Sequence, residues 1–241
     1  MNAPLRMFSS VLLGGVVLVT ALTGCAMSAG TSPVPESTSD PNASDATDAP
    51  TAAWLDATSL VVKTWGDACA PQIGDIVAGE QSLEIVLVAG QDEVCAAVQT
   101  AHGTYVGLPA AFDSSRPVEL TVTDAGGEKS ELTLPGLDDG EIIPADRMSA
   151  QTPAAAWIDD RELAILTWGS STCMPTSGTF EAVSATEGVV RLETNTDGVC
   201  TMDLVPQITF VPAEGVDEDV KLTLDGYTDA DGAPVIVTVL R

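Results

Sequence analysis

The sequence is short of positive charge, of aromatic rings and of histidine. Nine Lys and Arg stand against 35 Asp and Glu, a net charge of −26. A chain this acidic repels a phosphate backbone, which excludes nucleic acid as a partner. Its single histidine, His102, cannot build a histidine-based metal centre. Aromatics make up 4% of the residues, too few for the ring-lined clefts that carbohydrate-cleaving enzymes use. There is no Gly-x-Ser-x-Gly elbow, no phosphate-cradling glycine loop and no Cys-x-x-Cys pair. Long helical periodicity is missing beyond the first 25 residues. What is present is a 45% apolar content dominated by Ala, Val and Leu, too high for a wholly disordered chain.

Residues 1–24 read as a signal peptide. Arg6 and the α-amino group supply positive charge, and Met7 to Ala21 form an apolar run with Val11-Leu12-Leu13 and Val16-Val17-Leu18-Val19 at its centre. The run is shorter than the ~20 residues a spanning helix needs. It ends in Leu22-Thr23-Gly24-Cys25, which resembles a bacterial lipobox. The resemblance implies cleavage before Cys25, a palmitate-type lipid on its sulfur and a place on the extracytoplasmic face of the cell membrane. There is no twin-arginine pair, so the general secretory route is expected.

Residues 25–52 carry the lipidated Cys25 and then a tether rich in Ser, Thr, Pro and Asp, with Val34 as its one branched aliphatic residue. Such a stretch buries too little apolar area to offset its chain entropy. Beyond it lies an internal repeat. Ala53-Trp54-Leu55-Asp56 recurs as Ala156-Trp157-Ile158-Asp159, and Thr64-Trp65-Gly66 as Thr167-Trp168-Gly169, both 103 positions on. Cys69 and Pro71 recur as Cys173 and Pro175, and Cys95 as Cys200. The rarest residue types carry the match, which makes chance a poor explanation.

The repeat sets the expected organisation: a first β repeat over 53–136, a linker over 137–153 and a second β repeat over 154–241. Apolar runs at Leu60–Trp65, Leu83–Val88 and Leu163–Trp168 have strand length, and Val118–Thr123 alternates apolar with polar. Asp124-Ala125-Gly126-Gly127 turns that strand into Ser130–Leu134, and Val220–Leu224 pairs with Val235–Val239 across Asp229–Gly232. A short helix is expected near Trp54 and Trp157. The fold class is mainly β: two tandem, β-sandwich-like domains of about the size of an immunoglobulin domain, each with its own disulfide.

Four cysteines allow three pairings. The repeat selects Cys69 with Cys95 and Cys173 with Cys200, so that each repeat closes its own loop in an oxidising compartment. Trp65 and Trp168 stand just before a cysteine. Two readings apply: indoles packed over the disulfides, or exposed platforms facing a ligand. Trp65 shares its strand face with Lys63, whereas the matching face in the second repeat carries Ala164 and Leu166. His102, in Ala101–Tyr105, reads as a polar residue of a surface loop. The acidic groups Asp138-Asp139-Gly140-Glu141, Asp217-Glu218-Asp219 and Asp225 with Asp229 and Asp231 read as solvated turns, since none has EF-hand spacing. No metal site and no cofactor is expected.

The Thr-Trp-Gly…Cys-x-Pro pattern resembles uncharacterised exported proteins of actinobacterial type, a resemblance that brings no activity with it. The expected function is a non-enzymatic binding or structural module of the cell envelope, held by its lipid and facing an envelope protein or a glycan. The alternative is a carboxylate-dependent envelope hydrolase.

Overall fold

The computed structural model describes residues 49–90, 94–110, 112–138, 151–194 and 198–241. The signal peptide, Cys25, most of the tether and residues 139–150 of the linker lie outside them. The described chain is all β. The first repeat contributes β1 (Thr51–Asp56), β2 (Ser59–Gly66), β3 (Gln72–Ala78), β4 (Ser82–Val88), β5 (Thr100–Gly107), β6 (Val118–Thr123) and β7 (Lys129–Leu134). The second contributes β8 (Ala154–Asp159), β9 (Glu162–Gly169), β10 (Pro175–Ser184), β11 (Glu187–Thr194), β12 (Val205–Pro212), β13 (Lys221–Thr228) and β14 (Pro234–Leu240).

The helix expected around Trp54 and Trp157 is absent, and both residues sit on strands, β1 and β8. Each strand folds straight back on its successor through a tight turn, pairing Trp54 with Leu60 and Trp157 with Leu163. The carboxylates of Asp56 and Asp159 close the turns: Asp56 Oδ1 accepts the Thr58 N–H at 2.6 Å and Asp159 Oδ1 the Arg161 N–H at 2.8 Å. That is Asx-turn chemistry, and it explains why Trp-Leu/Ile-Asp ends a strand here rather than starting a helix. The first strand begins two residues before the expected boundary, since Thr51 and Ala52 already pair with Lys63 and Val62.

Each repeat is a sandwich with the same wiring. One layer is three-stranded, β1-β2-β5 or β8-β9-β12; the other is four-stranded, β3-β4-β6-β7 or β10-β11-β13-β14. In both four-stranded layers the middle pair, β4–β6 or β11–β13, is parallel. Alternation decides the faces. In the second repeat Trp157, Leu163, Ile165 and Val211 point inward and form a core with Val190, Leu222, Leu224, Val237 and Val239. In the first, Leu60 and Val62 face Leu83, Ile85, Leu120 and Val122.

A seam separates the repeats in one respect. The two layers of the second repeat are joined edge to edge by β14 and β8, through Val239 beside Ala155 and Leu240 beside Ala156. In the first repeat the residue matching Leu240 is Pro135, which has no N–H to give a neighbouring strand. Its carbonyl instead accepts the Trp54 Nε1–H at 2.6 Å, and the two layers stay separate sheets.

The three-stranded layers also have a second face, and it is not in solvent. Val61, Leu55 and Ala53 of the first repeat share one core with Ala156, Ile158, Ala164 and Leu166 of the second. β1 lies against β8 and β5 against β12. Like strands therefore stack on like. A two-fold relation that does this runs across the strands and reverses their direction, so the end of β2 meets the start of β9. The side chains agree: Lys63 reaches Glu162, at the start of β9, while Trp168, near its end, meets Tyr105, the pairing partner of Val61. The described molecule is four β layers thick, with two sandwiches back to back.

Candidate binding surface at the disulfide loops

The two bridges form as the repeat requires, Cys69–Cys95 and Cys173–Cys200, with Cα atoms 5.5 and 5.3 Å apart. Each ties the loop after the second strand of its repeat to the loop before the fifth. Closing a loop of about 26 residues stabilises by roughly 3.5 kcal/mol in the chain-entropy picture. Because the repeats run in opposite directions, the bridged loops lie at opposite ends of the molecule.

Both bridged loops hold aliphatic side chains in open solvent. Val94 and Val199, the residues immediately before Cys95 and Cys200, are 103% and 92% exposed. Val98, Met174, Met202 and Leu204 add further exposed apolar surface at the two ends. The loops differ in what surrounds these residues. In the first repeat the neighbours are Ala68, Ala96 and Ala97, and the loop is closed by the backbone bond from Ala68 N–H to Ala96 O at 3.0 Å. In the second, Ser170, Ser171, Thr172 and Thr201 form a hydroxyl cluster, with Ser170 Oγ 2.8 Å from Thr201 Oγ1. Asp203 closes it, accepting from the Thr201 hydroxyl and from the Ser171 N–H. Hydrogen bonds from Ser171 and then Thr201 hold the Asp203 carboxyl down to about 2.

Beneath each loop a buried polar side chain fixes the strand end. His102, expected in a surface loop, is a buried residue of β5, and its Nε2 lies 2.7 Å from the Asp67 carbonyl oxygen. With no hydrogen on a carbonyl, the contact requires the Nε2–H tautomer. The matching residue in β12 is Gln207, whose Nε2–H donates to the Ser170 carbonyl at 2.7 Å. Asp67 and Ser170 are themselves matching positions, so His102 has the same capping role as a glutamine. The sequence carried this signal in the alignment of Thr100–Gly107 with Val205–Pro212, where His102 falls on Gln207.

Trp65 and Trp168 are both half-buried; Trp65 faces a lysine of its own strand, and Trp168 a tyrosine of the other repeat. The Lys63 ammonium sits 5.0 Å from the ring centres of both Trp65 and Phe210. Trp168 meets Tyr105 edge-on at 5.5 Å and donates its Nε1–H to Thr152 O at 3.3 Å. Trp168 takes part in a repeat-to-repeat contact and Trp65 joins it through Lys63, which also meets Phe210, a third outcome beside disulfide packing and an open platform.

One cleft, about 490 Å³, is lined by Lys63, Asp159, Asp160, Arg161, Glu162, Pro212 and Glu214. Three of its four carboxylates are engaged: Glu162 by Lys63, Asp160 by Arg241 at 2.6 Å, and Asp159 by its turn. Among the described residues the one cluster with metal-ligand geometry is Asp67, Cys69 and Cys95. Its two sulfurs are bonded to each other, and Asp67 Oδ1 already accepts the Cys69 N–H at 3.0 Å, so thiolate ligands are unavailable while the bridge stands. The acidic turns behave likewise: Asp229 Oδ1 accepts the N–H groups of Asp231 and Ala233, both at 2.9 Å, and Asp225 pairs with Arg191. No family model, no curated protein and no solved structure matches this chain.

Proposed function

We propose that the protein is a lipid-anchored, extracytoplasmic binding module of the cell envelope, non-enzymatic, with its two disulfide loops as the recognition tips. The observation that carries this reading is the pair Val94 and Val199, which stand in open solvent at matching positions on bridged loops. Exposed aliphatic groups on a rigid loop cost solubility and mark contact surfaces. Aliphatic tips favour a protein over a glycan, because glycans dock on aromatic faces and Trp65 and Trp168 are occupied. The net charge of −26 favours a partner with a basic surface. Two disulfides fit an oxidising compartment, and Leu22–Cys25 supports the lipid anchor.

The test is photocrosslinking on intact cells from a crosslinker at position 94 or 199, with Ile236, an exposed strand residue, as control. Discrete protein adducts from 94 or 199 and none from 236 are expected. Equal labelling at all three positions would remove the tips from consideration. The anchor is tested separately: Cys25→Ala is expected to lose incorporation of a fatty-acid analogue, and label retained by the variant would contradict lipidation there.

A further inference from the structure

The face where the repeats meet is built from matching positions of the two, and at those positions the residues are complementary rather than alike. Gly103 of β5 and Ile208 of β12 occupy the same place in their repeats, and they touch each other. A Cβ on Gly103 would stand 2.3 Å from Ile208 Cγ2, 2.6 Å from Ile208 Cβ and 3.1 Å from Phe210 Cζ. Contacts this short leave no room for a side chain on both residues; even two alanines would bring their Cβ atoms together. One of the two must be glycine, and it is the one in the first repeat.

The ion pair obeys the same rule. Lys63 and Glu162 bond across the face, the lysine side chain 9% exposed and the glutamate 23%. The residue matching Lys63 is Leu166, and the residue matching Glu162 is Ser59, buried and hydrogen-bonded to Asp56 Oδ2 at 2.8 Å. The contact therefore occurs once, on one side of the two-fold, and its counterpart is uncharged.

We propose that this face is a two-fold pairing surface made one-way, so that the first repeat fits the second and neither fits itself. Two first repeats would leave a hollow between Gly103 residues and set each buried Lys63 against Ser59 in place of Glu162. Two second repeats would drive Ile208 into Ile208 and bury Glu162 against Leu166. The partner this surface accepts is the other repeat, and like-with-like pairing between molecules is disfavoured.

The full-length chain tests this by exchanging the complementary residues. Gly103→Ile and Ile208→Gly are each expected to lower the melting temperature, by about 5 to 10 °C. Gly103→Ile combined with Ile208→Gly restores the glycine on the opposite side of the two-fold and is expected to recover at least half of the summed loss. Gly103→Ala with Ile208→Ala puts a Cβ on both residues and is expected to stay low. A swapped chain as unstable as the sum of its single variants, or an alanine pair as stable as the native chain, would overturn the proposal.

Discussion

The two repeats are most alike inside and least alike where they face something. Their cores use the same strands, the same buried tryptophan on the first strand, the same bridge and the same buried polar cap under it. They part company at the face they share and at the tips of their bridged loops. The difference at the shared face has a steric and ionic reason, since identical faces would clash at Ile208 and deprive Lys63 of Glu162. The difference at the tips has no such structural reason: an alanine-lined loop and a hydroxyl cluster both close the same 26- or 27-residue bridge.

The largest expected effect comes from the bridges. Replacing Cys69 and Cys95, or Cys173 and Cys200, by serine is expected to cost about 3 kcal/mol in either repeat, read by denaturant unfolding. Markedly unequal losses would show that the hydroxyl cluster holds its loop where the alanine-lined loop relies on its bridge alone. Next is the ion pair. Lys63→Leu leaves Glu162 facing an apolar neighbour and is expected to cost about 2 to 3 kcal/mol. Adding Glu162→Ser gives both sides of the two-fold the same pair of residues and is expected to bring the loss back to about 1 kcal/mol. If the double variant is no better than the single, the lysine acts through its packing on Trp65 and Phe210 and not through its charge.

The caps give a finer comparison. His102→Gln copies the second repeat into the first and is expected to be nearly neutral, whereas His102→Ala strips the Asp67 carbonyl of its donor and is expected to cost about 1 kcal/mol. An equal loss in both would mean that the imidazole does something a carboxamide cannot. The smallest effect concerns Asp203. Its folded carboxyl lies near 2, below the ordinary 3.8, so the unfolded chain binds the proton first. The stability this contributes is complete above about pH 4 and is lost as the pH falls towards 2. Asp203→Asn is expected to lower the stability–pH curve modestly above about pH 4 and to flatten its acid limb, so that the two proteins converge towards pH 2. An unaltered acid limb would contradict the hydrogen-bonded carboxylate.

Much of this was legible before any coordinates. The register of Trp, Gly, Cys and Pro pointed to the bridges, because only this pairing closes a loop within each repeat. The hairpins β6–β7 and β13–β14 announced themselves by alternation and by Asp-Ala-Gly-Gly and Asp-Ala-Asp-Gly turns. Strands β1 and β8 were not legible: two of their faces are buried, which erases the alternation, and a short Ala-rich stretch reads equally well as helix. The three-stranded layers posed the deeper problem. Leu60-Val61-Val62 is apolar on both faces, and a sequence says that both are buried without saying against what. Lys63 kept a solvent-facing reading of Trp65 open beside burial, because the residue that neutralises the lysine is 99 positions away. The candidate tips were visible only as cysteine-flanking valines; nothing in a sequence separates a buried valine from one standing in water.

The central claim is that the two repeats pack as one two-fold body with their bridged loops at opposite ends. Non-thiol spin or fluorescence labels at positions 94 and 199 measure it directly in the full-length protein with both bridges intact. An eight-residue strand spans roughly 27 Å, and face-packed sheets lie about 10 Å apart. Tips at opposite ends predict a single distance distribution centred beyond roughly 30 Å. A distribution centred near 10 to 15 Å would place both tips at the same end, contradict the reversed stacking of β1 on β8 and β5 on β12, and remove the basis for two separate recognition sites.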